Sequence, residues 1–107
     1  MRLAFLSTLV FLSLAPTAAL AQGGDPAVGA RLARETCASC HAVGADPHAK
    51  SPDPNAPAFV DVAKMPSATE LSIKVFLRSS HRNMPNFILS PEEVDGVTAY
   101  ILGLRKK

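Results

Sequence analysis

The sequence predicts an all-α fold of one small domain. Three segments each open on a helix-capping pattern and continue with apolar residues at helical spacing. No segment alternates apolar and polar residues in the way a half-buried strand requires. Between the first two helical segments the chain carries five prolines in twenty-one residues, "DPHAKSPDPNAPAFVDVAKMP". That density argues against any regular helix or central strand there.

The N-terminus precedes the fold. Arg2 supplies a positive start, and Leu3 to Ala15 is a mainly apolar run of thirteen residues. Pro16 breaks the run, and "AALAQ" (Ala18 to Gln22) carries small residues in an A-x-A pattern ending at Ala21. A spanning helix needs about twenty apolar residues, so this run is too short. It reads as a secretory signal peptide over residues 1–21, cleaved after Ala21, leaving one domain over residues 22–107. An uncleaved anchor would leave the A-L-A site unexplained.

The first helix begins at Asp25, a good N-cap, with Pro26 at the first helical position, and "AVGARLARETC" runs on toward Cys37. For the second, Ser67 and Glu70 make an S-x-x-E capping box ahead of "ATELSIKVFLRSS", with apolar Leu71, Val75 and Phe76. The third has the fullest start, with Ser90 as cap, Pro91 at the first position and Glu93 as the capping-box acid. Val94, Val97, Ile101 and Leu104 then form one apolar face. Gly103 marks the stop, and Arg105, Lys106 and Lys107 complement the C-terminal end of the helix dipole.

Composition narrows the function. Without Arg2, ten basic residues face nine acidic ones, a formal charge of +1 that gives no electrostatic case for nucleic acid. There is no tryptophan, and the region after Ala21 holds Tyr100, Phe59, Phe76 and Phe87 as its aromatics. Side chains alone would make a thin core, and small domains commonly need a further staple. A long loop without structure of its own fits a chain that wraps something functional.

The wrapped group is indicated by "TCASCHAVG". Cys37, Cys40 and His41 form C-x-x-C-H, and the chain has no other cysteine. A thioredoxin-like pair would need a strand before the motif and a βαβ setting, whereas a helix precedes it here. A structural zinc site usually takes four ligands, and only His48 and His81 remain, at irregular distances. A plain disulfide leaves His41 without a role. Haem attachment uses all three residues: the thiols add across the haem vinyl groups, and the adjacent histidine supplies the proximal nitrogen to iron. Export is consistent with this, because c-type haem is attached outside the bacterial cytoplasm. For the other axial position the chain offers Met65, Met84, His48 and His81. Met84, in "RNMPNF" between the second and third helices, is placed to bring the chain back over the haem. Met65 directly precedes the Ser67 cap and is expected to pack the loop, His81 to be solvated or a haem-edge partner, and His48 to be solvated.

With "CASCH", "NMPNF" and the terminal "SPEEVDGVTAYILGLR" in that order, the sequence resembles the small class I bacterial cytochromes c over nearly all of Asp25 to Arg105. The resemblance implies the cytochrome c fold, about three main helices wrapped around one covalently attached haem c. It implies His41 and Met84 as axial ligands and Cys37 and Cys40 as the thioether positions. Gly29, eight residues before Cys37, matches the glycine at which first and last helices cross, and Tyr100 matches the aromatic beside it. An aromatic usual four residues before the first cysteine is replaced by Ala33. Pro57 in "NAPAF" matches the loop proline whose carbonyl accepts from the proximal histidine, an interaction that orients the ring and tunes the metal. The tryptophan that contacts a haem propionate in some members is absent, and the sequence does not choose among Arg78, Arg82 and serines as substitutes.

With both axial positions filled, the implied function is outer-sphere transfer of one electron by a periplasmic carrier of positive potential, without enzymatic activity. Periplasmic dehydrogenases or quinol-oxidising complexes would be donors and terminal oxidases acceptors, met in transient complexes by a monomer with no stable membrane insertion. Two further readings stay open: a haem subunit held on a periplasmic dehydrogenase, and a sensor or peroxidase-like protein whose Met84 leaves the iron. Lys64, Lys74, Arg78 and Arg82 face only Glu70 between residues 64 and 82, a steering patch if they ring the haem edge and an ordinary solvated face otherwise. Phe87, Ile88 and Leu89 are expected to cover the haem or to form a contact patch.

Overall fold

The computed structural model describes residues 23–81 and 83–106. The expected signal peptide and Arg82 lie outside the described residues, as does Lys107. The described residues form four α-helices, α1 (Pro26–Leu32), α2 (Phe59–Lys64), α3 (Glu70–Leu77) and α4 (Pro91–Gly103), and contain no strand. The all-α class holds, with one helix more than the sequence suggests.

Helix α1 starts as its cap dictates: the Asp25 carboxylate accepts from the Ala27 amide at 2.8 Å, and Pro26 occupies the first turn. Beyond Leu32 the chain widens into a π-helical turn, Ala33–Cys37, that delivers the first cysteine. Helix α2 corrects the expectation of a structureless loop. Four of the prolines fall at residues 47, 52, 54 and 57 and the fifth at residue 66, so the interval between them is free of proline. That interval buries Phe59, Val60 and Ala63. Burial of one apolar face is enough to make even a short helix worthwhile.

Helix α3 begins two residues later than the Ser67–Glu70 pattern suggests. Its N-cap is Thr69, whose hydroxyl accepts from the Ser72 amide at 3.1 Å, while Ser72 Oγ accepts from the Thr69 amide at 2.9 Å. Ser72 Oγ also donates to the Ser67 carbonyl at 2.8 Å, so Ser67 takes part as backbone only. The shift frees the Glu70 carboxylate, which pairs with Lys74 at 2.6 Å. The buried position of α3 is Ile73, whereas Leu71 and Val75 are 72% and 55% exposed. Helix α4 carries the reciprocal capping box in full, with Ser90 Oγ accepting from the Glu93 amide at 3.2 Å and Glu93 Oε2 from the Ser90 amide at 2.8 Å. Its predicted face is buried: Val94, Val97, Ile101 and Leu104 are at most 4% exposed. A 3₁₀ turn, Leu104–Lys106, follows α4. Here Arg105 departs from the dipole role, since its Nε and Nη2 each donate at 2.7 Å to the carbonyls of Ala63 and Ala68. It ties the end of α2 and the α2–α3 turn to the last helix.

The closest packing is α1 on α4. A Cβ placed on Gly29 would lie 2.0 Å from the Gly96 carbonyl oxygen. The two backbones are thus in contact, and Ala33, one turn further on, is completely buried. The small residue where an aromatic was expected sits within this crossing. Tyr100 instead reaches across the fold, donating its hydroxyl to the Val43 carbonyl at 2.5 Å and meeting the Phe59 ring edge-on. Among the described residues, the largest side chains less than 2% exposed are Val94, Val97 and Thr98. The chain has few large side chains to close its own centre.

Candidate functional site

The turn after the π-helical segment is closed by Cys40 and His41, whose amides both donate to the Cys37 carbonyl, at 3.1 and 2.9 Å. This compact turn brings Cys37, Cys40 and His41 to the wall of one cavity of about 620 Å³. The two thiols are not joined. Burial alone pushes the Cys37 thiol above its ordinary value of 9.0, which favours the neutral SH form. The proline-rich segment is stitched to the motif from outside. Asp53 donates its amide to the Cys40 carbonyl at 3.1 Å, Phe59 donates to Ala42 at 2.9 Å, and the Ala42 amide donates to Ser51 Oγ at 3.0 Å.

This stitching places the Pro57 carbonyl 2.7 Å from His41 Nδ1. A carbonyl can only accept, so Nδ1 carries the proton and the lone pair of the neutral ring is on Nε2. The ring is also held by Phe59, with centroids 5.3 Å apart and planes tilted by 50°. His41 is therefore oriented from two sides on a cavity wall, as a coordinating imidazole requires.

The rest of the lining comes from the core (Phe59, Ile73, Val97, Ile101) and from the segments flanking α3. Met65, His81 and Met84 all reach the cavity, whereas His48 does not. His48 is exposed, in a turn where its amide donates to Asp46 Oδ1 at 2.9 Å. Met65 is 43% exposed and caps α2, its amide donating to Val62 and its carbonyl accepting from Ala68. Met84 is half-buried. Of the apolar trio after it, Phe87 and Leu89 line the cavity, and Ile88 is fully exposed.

The basic patch is smaller than its residue count. Lys74 is bound by Glu70 and, at 3.0 Å, by Asp95 of α4, and these hydrogen bonds, Glu70 first, raise its amine above the usual 10.5. Lys64, Lys74 and Arg78 do not belong to the cavity wall. Among the described residues no cluster of three or more His, Cys, Asp or Glu could hold a bare metal ion. No buried side-chain nitrogen or oxygen among them lacks a partner. A mainly apolar cavity with two unpaired thiols and one oriented imidazole suits a large flat apolar group, and the residues fit a covalently carried haem.

Comparison with known proteins agrees with this chemistry. The family profile described as "Cytochrome C oxidase, cbb3-type, subunit III" matches residues 24–101. Cytochrome c-552 of Bradyrhizobium diazoefficiens is 37% identical over 94 residues, covering 88% of each chain. The chain belongs to the small monohaem c-type cytochromes. Family membership makes the cytochrome an electron-transfer haem protein that works with redox partners, and it implies covalent haem c. No solved structure matches the cytochrome. No helix among its described residues is long and apolar enough to cross a membrane.

Sequence reasoning passed over one feature of the site and two of the frame around it. Phe59 as a support for the His41 ring was hidden by the prolines around it, although the proline-free interval was a usable signal. The Arg105 clamp and the Lys74 bridge to Asp95 join residues far apart in sequence, and no local pattern announces them.

Proposed function

We propose that this cytochrome is an exported, non-enzymatic carrier of one electron. Residues 1–21 act as the cleaved leader, and residues 22–107 form the periplasmic domain. Cys37 and Cys40 would hold one haem through two thioethers, and His41 Nε2 and the Met84 thioether would be the protein's ligands to its iron. When bound there, haem supplies a ferric–ferrous couple.

The observation that carries the reading is the pairing of His41 Nδ1–H with the Pro57 carbonyl, which leaves the Nε2 lone pair for the metal. Met84 is preferred to Met65 on two grounds. It is the less exposed of the two at the cavity, and Met65 is committed by its backbone to the end of α2. With haem bound, a thioether and an imidazole as its ligands would raise the potential, as a carrier between a dehydrogenase or quinol-oxidising donor and a terminal oxidase requires. Two protein ligands leave no open position for a substrate.

The exported protein should titrate reversibly as a single one-electron wave at positive potential, and its ferrous form should bind carbon monoxide slowly at neutral pH. Rapid carbon monoxide binding would move the sensor or peroxidase reading to the front. A second reading, a haem subunit held in a larger complex, draws on the exposed Leu71 and Val75 of α3. Stoichiometric co-purification of the native protein with a larger chain would favour it.

A further inference from the structure

The described residues of the segment that carries Met84 make few hydrogen bonds. Ser79 is still bound to α3, its amide donating to the Phe76 carbonyl at 3.2 Å and its hydroxyl to Val75 at 2.6 Å. Past it, among the described residues from Ser80 to Leu89, the one hydrogen bond runs within the segment, from Asn86 Nδ2 to Ser80 Oγ at 3.2 Å. It joins two points of the segment and does not itself reach α3. Among these residues, the contact recorded with α3 is aromatic. The His81 ring lies on the Phe76 ring of α3, with centroids 3.6 Å apart and planes 21° from parallel. Both rings also line the cavity, as does Met84.

We propose that His81 is a positioning residue for the Met84 thioether: by stacking on Phe76 it anchors the 80–89 segment to α3 and holds Met84 at the cavity. His81 acts here through the flat face of its ring, not as a ligand. The role rests on Met84 being the axial ligand. Without the stack, the segment keeps its internal Asn86–Ser80 bond but loses its tie to α3, so Met84 spends more time away from its site. An aromatic pair of this kind corresponds to roughly a two- to tenfold change in such an equilibrium.

The test uses the haem-loaded ferric protein and added imidazole, which binds only when the methionine position is open. Its apparent affinity therefore reports the fraction of molecules with Met84 displaced. His81→Ala and Phe76→Leu should each tighten imidazole binding by roughly two- to tenfold. His81→Phe, which keeps a flat ring, should restore the unsubstituted affinity. The double variant should be no looser than the looser single, since both changes remove one contact. An unchanged affinity in His81→Ala, additive single effects, or equal behaviour of His81→Phe and His81→Ala would overturn the proposal. The last result would assign His81 a role through its ring nitrogens. A Met84→Ala control separates the two levels of the argument. If the sulfur-to-iron band of the ferric spectrum survives that change, the ligand assignment fails and the positioning role falls with it. If the band is lost in the control but His81→Ala binds imidazole as the unsubstituted protein does, only the positioning role fails.

Discussion

Replacing Gly29 by alanine should be strongly damaging, because Gly29 and Gly24 are the two described glycines at which a Cβ would overlap the backbone of α4. A Cβ on Gly29 would stand 2.0 Å from the Gly96 carbonyl oxygen, 2.3 Å from its carbon and 2.7 Å from the Val97 amide nitrogen, against 3.4 Å or more for an ordinary contact. The neighbours are backbone atoms of α4, so no rotamer change relieves the overlap. Helices α1 and α4 would have to separate by about 1.4 Å at their closest point, the difference between those two distances. Overpacking of this kind costs about 1–3 kcal/mol, and rigid neighbours put it at the upper end or beyond. Alanine's better helix propensity returns up to about 1 kcal/mol. A net loss of about 2–3 kcal/mol corresponds to a fall in Tm of about 10–20 °C for a domain of this size. Two internal controls calibrate the result. A Cβ on Gly96 would be 3.0 Å from Asp25 O and Gly29 N, so Gly96→Ala should lose about half as much. Nothing lies within 4 Å of a Cβ on Gly103, and no described glycine has positive φ, so Gly103→Ala should be neutral or slightly stabilising. Thermal melts of the haem-loaded proteins followed by helical circular dichroism provide the comparison. A Gly29→Ala protein that melts with the unsubstituted one, or a Gly103→Ala protein that falls as far, would refute the steric reasoning.

Arg105→Met keeps the stem but removes both donors from the Ala63 and Ala68 carbonyls. It should lower stability by about 1–3 kcal/mol, with Arg105→Lys recovering part of the loss; a denaturant midpoint for Arg105→Met equal to that of the unsubstituted protein would contradict the clamp. Lys74 gives a pH signature. Its folded-state amine is raised above 10.5, so its pairing stabilises the fold below that value and the contribution is lost as pH rises through the folded value. The stability gap between unsubstituted and Lys74→Met proteins should therefore be open at neutral pH, shrink with added salt, and close at strongly alkaline pH. A gap independent of pH would show that Lys74 acts through packing.

What could be read from the chain beforehand divides by distance along it. Ser90, Pro91 and Glu93 are adjacent, use each other, and are buried in no competing pattern, so α4 is recovered with its cap and its apolar face intact. The start of α3 is ambiguous because Ser67–Glu70 and Thr69–Ser72 are both plausible boxes two residues apart. The structure takes the one that leaves Glu70 beside Lys74. Helix α2 is obscured in the sequence by the density of prolines around it, although its own residues are free of proline. C-x-x-C-H is read from neighbouring residues, and the structure brings all three of them to one cavity wall. The sixth position was not legible from residues alone, because two Met-Pro pairs and a histidine all return to one cavity. Contacts such as Tyr100 with Val43, or Arg105 with Ala63, join residues about forty to sixty positions apart and exist only once the helices have packed. The carbonyl that meets His41 comes from sixteen residues downstream, and only the family resemblance pointed to it.

The central claim is tested most directly by the far-red absorption of the ferric, haem-loaded protein, where a weak sulfur-to-iron band reports a methionine ligand. The account predicts that the band is present in the unsubstituted protein, persists in Met65→Ala and disappears in Met84→Ala. Its absence from the unsubstituted protein, or its loss with Met65→Ala alone, would contradict it.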